Sequence, residues 1–157
     1  NDDILWYCGN GQLSEVNLAN TLNTANITAR ADMDCAAVEL FDDGGTATLR
    51  VISRGGLLAE STDEAATFAT IADVPLANSS CTARLLVSRA SDRNVIATAC
   101  SRYWIDSNDS TTVSLTRDRG QSWESMTLAN TKAQQIALTD NALLVSTLQR
   151  GVLRFPY

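Results

Sequence analysis

Residues 144–153 read LVSTLQRGVL, which is an apolar strand, a polar turn that contains a glycine, and a second strand. The same pattern occurs at residues 4–13 (ILWYCGNGQL) and 49–58 (LRVISRGGLL), and a fourth copy with a longer connection starts at Val95. The four starts, at positions 4, 49, 95 and 144, are 45, 46 and 49 residues apart. A repeat of this length built from short β-rich runs predicts one four-stranded antiparallel unit per period, and it favours a propeller over a sandwich.

Short apolar runs separated by polar turns fill the rest of the chain, and helical periodicity is nearly absent. Such turns include DDGG at residues 42–45 and SDRN at residues 91–94. Counting strands unit by unit gives 14, or three and a half four-stranded units, because the first unit lacks its first strand and the last stops after its third. The sequence therefore predicts a single all-β domain. Its approximate unit boundaries are 1–33, 34–78, 79–130 and 131–157.

Composition excludes several classes of function. The net charge is −6, with one lysine and eleven arginines, and no basic cluster could neutralise several phosphates, so a nucleic-acid partner is not expected. There is no histidine, which removes the commonest general base and the commonest zinc ligand. The 45% apolar fraction suits a packed core, and no run of about 18 apolar residues predicts a membrane span.

Two octapeptides carry a recognisable turn chemistry. Residues 116–123 (TRDRGQSW) match the pattern S/T-x-D-x-G-x-S/T-W/F at every specified position, and residues 61–68 (STDEAATF) match it with Ala65 in place of the glycine. The aspartate caps backbone N–H groups of its own turn, the glycine allows a positive φ, and the aromatic residue packs beneath the loop. We expect Ala65 either to adopt a strained φ or to relax the turn.

Because the octapeptides occupy equivalent places in successive repeats, the chain resembles the Asp-box (BNR-repeat) β-propellers, which include sialidases, sortilin-type receptors and xyloglucanase-like glycosidases. The resemblance implies a β-propeller of four-stranded antiparallel blades whose Asp-boxes lie on the periphery and are structural. It implies fold rather than activity. The residues assigned this structural role are Ser61, Asp63, Thr67, Phe68, Thr116, Asp118, Gly120, Ser122 and Trp123.

The four cysteines show no C-x-x-C spacing, so zinc is not expected. The four cysteines could form two disulfides in any of three pairings, or they could remain free thiols. Disulfides formed in an oxidising compartment are favoured. In a propeller blade the start of strand one lies beside the end of strand two, which predicts a Cys81–Cys100 pair and leaves Cys8 for Cys35. We therefore expect a secreted, cell-surface or periplasmic protein.

One segment, residues 101–110, is an insertion relative to the sister repeats. Loops that extend a rigid scaffold often carry recognition. Tyr103 and Trp104 offer aromatic faces to a sugar or a protein, with Arg102, Asp106 and Asn108 as polar partners. The alternative is a lengthened hairpin whose aromatic residues pack on their own sheet.

The same segment partly resembles a calcium loop. Asp106, Asn108 and Ser110 have the spacing of its first half, but Thr111 and Arg117 stand where the glycine and the bidentate glutamate belong. We predict no cofactor, and calcium remains the alternative.

No complete set of catalytic residues can be identified in the sequence. Four arginines are candidates for a sialidase triad and cannot be placed in it: Arg30, Arg50, Arg84 and Arg154. Three glutamates lie in or near strands without the opposed partner that a glycosidase needs: Glu39, Glu60 and Glu124.

We therefore predict a non-catalytic recognition or assembly module that binds protein or glycan through propeller loops. The alternative is part of a glycoside hydrolase whose catalytic groups are shared with another segment. Three and a half blades would leave apolar sheet faces uncovered, so we expect a second copy or a companion chain to complete the ring.

Overall fold

The computed structural model describes residues 4–17, 27–31, 34–75, 81, 83–102, 110–148 and 150–157. Within these residues the chain forms fourteen β-strands, arranged in four antiparallel sheets, and no helix. The predicted all-β, antiparallel class is therefore confirmed. Nothing in the described ranges is a helix of the length and apolar character that crossing a bilayer requires.

Each sheet is a simple meander, because strands that are consecutive in sequence are neighbours in space. Sheet A contains β1 (Ile4–Gly9), β2 (Gln12–Asn17) and β3 (Ile27–Ala31). Sheet B contains β4 (Cys35–Asp43), β5 (Thr46–Ser53), β6 (Leu57–Ser61) and β7 (Ala69–Asp73). Sheet C contains β8 (Ala83–Arg89), β9 (Asp92–Arg102), β10 (Ser110–Thr116) and β11 (Glu124–Ala129). Sheet D contains β12 (Ala133–Leu138), β13 (Ala142–Thr147) and β14 (Gly151–Pro156).

Each sheet lies within one of the four segments predicted from the repeat. Over the described residues sheets B and C have four strands, and sheets A and D have three. The arrangement of the sheets as blades of one ring stays a prediction.

The hairpin turns follow directly from their residues. Asn10 and Gly11 connect β1 to β2 with φ of 51° and 78°, and Gly44 and Gly45 connect β4 to β5 with φ of 63° and 91°. Two central residues with positive φ characterise the type I′ turn, whose twist matches that of paired strands. These turns set the pairing register of both hairpins.

The chain divides into two compact units, Asn1–Thr70 and Ile71–Tyr157. In the first unit a cluster of buried side chains packs sheet A against sheet B through Leu13, Leu49 and Val51. In the second unit the corresponding cluster joins sheets C and D, and it includes Val113 and Val145. Alternation of side chains along each strand directs these residues to the shared core.

Two pairs of cysteines lie at disulfide distance. Cys8 on β1 is joined to Cys35 at the start of β4, with their Cα atoms 5.3 Å apart. Cys81 is joined to Cys100 near the end of β9, with a Cα separation of 5.4 Å. These are the two pairings that the blade arrangement predicts, and they are compatible with an extracellular location.

Candidate functional site

The predicted recognition loop is represented by one described residue. Arg102 ends β9 opposite Ser110 on β10, and its Nε atom is buried without an acceptor among the described residues. The other four predicted ligand-binding residues lie outside the described residues: Tyr103, Trp104, Asp106 and Asn108. Binding at this loop, and the calcium alternative with it, therefore stay sequence predictions.

The octapeptide of sheet B closes around one carboxylate. Ser61 Oγ donates to Asp63 Oδ1 at 2.7 Å, and the same Oγ accepts the Ala65 N–H at 3.0 Å. Asp63 Oδ1 accepts the Thr67 N–H at 2.9 Å, and Oδ2 accepts the Thr67 hydroxyl at 2.5 Å. The aspartate thus caps the turn between β6 and β7, as its chemistry predicts.

The octapeptide of sheet C has the same network between β10 and β11. Thr116 Oγ1 donates to Asp118 Oδ1 at 2.7 Å and accepts the Gly120 N–H at 2.9 Å. Asp118 accepts the Ser122 N–H at 2.9 Å and the Ser122 hydroxyl at 2.5 Å. Two segments that are one repeat apart therefore build the same turn, atom for atom.

The fifth position of each octapeptide has a positive φ. Gly120 has φ of 92°, and a Cβ placed on it would overlap the methyl group of Ala72 and lie 3.5 Å from Cζ2 of Trp123. The aromatic ring therefore packs directly beneath this turn. Ala65 adopts φ of 64°, so the octapeptide of sheet B forms the same turn with a strained backbone at this alanine.

The hydrogen bonds lower the pKa of both turn carboxylates. Donation from the Thr67 side chain, then its backbone and Ser61, lowers the pKa of Asp63 to about 2. Donation from the Ser122 side chain, then from Thr116, lowers the pKa of Asp118 to about 2. Each carboxylate accepts bonds that its protonated form would weaken, which favours the charged state.

We expect acid to remove this stabilisation in a defined window. A carboxyl whose pKa is about 2 in the folded chain and 3.8 in the unfolded chain stabilises the fold above pH of about 4 and loses that effect as the pH falls through about 2. The stability difference between wild type and Asp118→Asn should therefore shrink from pH of about 4 to about 2. Urea midpoints at several pH values measure it, and a constant difference would contradict the assignment.

A row of charged side chains crosses one face of sheet B. Arg50 on β5 lies directly opposite Glu39 on β4 and Glu60 on β6. Its Nε donates to Glu60 Oε1 at 2.8 Å, its Nη2 contacts the same oxygen, and its Nη1 lies 3.9 Å from Glu39 Oε2. The guanidinium also lies over the Phe41 ring, 4.7 Å from its centroid. Arg50 is 1% exposed and Glu60 is 8% exposed, so this ion pair lies in the protein interior, and Glu39 is partly buried beside it.

Two of the glutamates that lacked partners in the sequence are thus brought together by one arginine. The third, Glu124, accepts a hydrogen bond of 2.5 Å from Arg117 at the surface. The pairing of the strands reveals this contact, which the sequence spacing did not, because Glu39, Arg50 and Glu60 become neighbours only once the strand register is known.

An apolar cleft of about 130 Å³, here called the Trp6 cleft, lies in the first unit. Ile4 and Trp6 on β1 form one wall, and side chains of sheet B form the other, with Glu64 of the octapeptide turn at the rim. The complete lining is Ile4, Trp6, Leu40, Ala47, Leu49 and Glu64. Sequence reasoning missed this cleft, since it depends on how sheets A and B pack.

A second cleft of about 180 Å³, here called the Tyr157 cleft, lies in the second unit. It is lined by residues of β10 and β11 and by the segment from Phe155 to Tyr157. Arg117 lies over the Tyr157 ring, 5.6 Å from its centroid, and also pairs with Glu124 on the lining. The Tyr157 hydroxyl donates to the Thr139 carbonyl at 2.6 Å, which fixes the ring.

Over the described ranges no group of three or more acidic, cysteine or histidine side chains could hold a metal ion. Comparison with protein-family models, with curated proteins and with solved structures finds no match to this chain.

Proposed function

We propose that this chain is a non-catalytic recognition module of the Asp-box β-propeller class, which works in an oxidising, extracytoplasmic compartment and binds protein or glycan partners. The observation that supports it most is the pair of identically bonded octapeptide turns. Each turn joins the third and fourth strands of a four-stranded meander, and the two meanders follow one another in sequence. A scaffold of repeated rigid sheets with loops at their ends suits recognition.

The state of the carboxylates supports binding over catalysis. A general acid at neutral pH requires a raised pKa. Hydrogen bonds instead lower the pKa of Asp63, Asp92 and Asp118. Glu60 and Glu124 are each paired with an arginine, so these acids serve turns and ion pairs.

The outer strand of sheet D supports completion of the ring by a second copy or a companion chain. Val152 on β14 is 66% exposed, and Leu148 just before it is 60% exposed. Over the described residues β14 pairs with β13 alone, so its other edge is available for a further strand.

Paired glycan and peptide arrays probed with the intact chain test the proposal. We expect saturable binding to a class of probes, recovery of those probes intact, and a native mass above the 16.9 kDa of one chain. Trp104→Ala should weaken binding about tenfold, as loss of an aromatic anchor does. Trp123→Phe is the matched control, because the octapeptide of sheet B carries Phe68 at that position.

Two results would contradict the proposal. Shortened glycans among the recovered probes would favour the glycoside hydrolase alternative. An absence of saturable binding on both arrays would remove the recognition role.

A further inference from the structure

The Trp6 cleft has a volume of about 130 Å³ and a mostly apolar lining. Its walls are aliphatic and aromatic, and Leu40 on one wall is 53% exposed although it faces the cleft. Trp6 packs against the core cluster of the first unit and also lines the cleft, so the core holds its ring in place. An apolar cleft of this kind suits the aliphatic stem of a lysine or an arginine.

The lining of the Trp6 cleft includes one carboxylate, that of Glu64. Glu64 is an exposed turn residue with φ of 55°. Within the described residues no cation lies at ion-pair distance from its carboxylate. An aromatic ring and a carboxylate that line the same cleft attract a cation through the ring quadrupole and through direct charge.

The Tyr157 cleft gives an example of an arginine held between an aromatic ring and a carboxylate. There, the chain's own Arg117 lies over the Tyr157 ring and pairs with Glu124. Arg117 is the second residue of its octapeptide, and the equivalent residue of the other octapeptide is Thr62, which has no charge. The carboxylates of the two clefts occupy different positions, since Glu64 aligns with Arg119 and Glu124 aligns with Ala69, so the clefts share residue types and not equivalent residues.

We propose that the Trp6 cleft binds an arginine side chain of a protein partner. The stem lies between Ile4 and Leu40, and the guanidinium lies on Trp6 with its N–H groups directed to the Glu64 carboxylate. Arginine suits the site better than lysine because its planar guanidinium stacks on an aromatic face and binds a carboxylate at the same time. This inference rests on the proposed recognition function and names the chemistry of one partner.

The probe is a blocked tripeptide, acetyl-glycine–arginine–glycine-amide, compared with the same peptide containing citrulline, which has the same shape without the charge. We expect the arginine peptide to shift the NMR signal of the Trp6 indole N–H saturably, with an affinity that falls as salt is added. The citrulline peptide should bind about tenfold more weakly. A Trp6→Phe variant identifies the indole signal.

Paired variants separate the cleft from general attraction to an acidic protein. Glu64→Gln should weaken arginine-peptide binding about tenfold, whereas Glu124→Gln in the Tyr157 cleft should leave it unchanged. Equal binding of both peptides, equal effects of both variants, or no shift at Trp6 would each overturn the proposal. If the chain still bound array probes in that case, the recognition function would stand and only the assignment to this cleft would fall.

Discussion

Replacing Arg50 by methionine is expected to lower the free energy of unfolding by about 3–5 kcal/mol. The substitution keeps a long apolar stem but removes the cation of the triad, whose Arg50–Glu60 pair is buried. Glu60 would then be buried without the guanidinium that contacts it in the native chain, and Glu39 would lose its charge partner. An uncompensated charge in the interior is far more costly than the loss of an exposed ion pair.

Two comparisons isolate the charge effect from packing. Arg54→Met removes an arginine whose ion pair with Asp34 is more than half exposed, and we expect it to cost about 1 kcal/mol or less. The triple variant Glu39→Gln, Arg50→Met, Glu60→Gln removes all three charges together, so it should recover most of the stability lost by Arg50→Met alone. Denaturant unfolding of each purified variant measures these differences. If the triple variant were as unstable as Arg50→Met, lost packing over Phe41 rather than buried charge would be the cause.

The strand pattern of the four sheets could be predicted because every step was local. The repeat starting at residues 4, 49 and 144 places an apolar strand, a turn and a second strand in order, and turn residues such as Asn10 and Gly11 have a strong intrinsic preference for hairpins. The octapeptide network was predictable for the same reason. Asp63 and Asp118 bond to residues no more than four positions away in the sequence.

The Arg50 triad could not be predicted, because it depends on register. The turn segment at residues 42–45 allows its centre to lie at Asp43 and Gly44 or at Gly44 and Gly45, and the first choice would set Thr48 rather than Arg50 opposite Glu39. The structure places the turn at Gly44 and Gly45, which sets Arg50 opposite Glu39. The clefts are harder still to predict from the sequence, since they depend on the packing of one sheet on another as well as on the register within each sheet.

Removal of the Cys8–Cys35 disulfide is expected to lower the free energy of unfolding of the first unit by about 3–4 kcal/mol. The bond closes a loop with a sequence separation of 27 residues and connects β1 of sheet A to β4 of sheet B. Without it, sheet A is held to sheet B by the apolar cluster and by the hydrogen bond from the Cys35 N–H to the Gly11 carbonyl, and the unfolded chain gains the conformational freedom of the open loop. The double variant Cys8→Ala, Cys35→Ala avoids placing a hydroxyl at the buried position of Cys35.

The matched control is Cys81→Ala, Cys100→Ala, because that bond joins the start of sheet C to the neighbouring strand β9 within one sheet. Hydrogen exchange distinguishes the two variants by location. Loss of the Cys8–Cys35 bond should accelerate exchange in β1 and β2 and leave the amides of β9 and β10 protected, since the two bonds lie in separate compact units. The control should show the reverse. Exchange that accelerates evenly along the whole chain in both variants would mean that the two units unfold together, and the disulfides would then act on one cooperative structure.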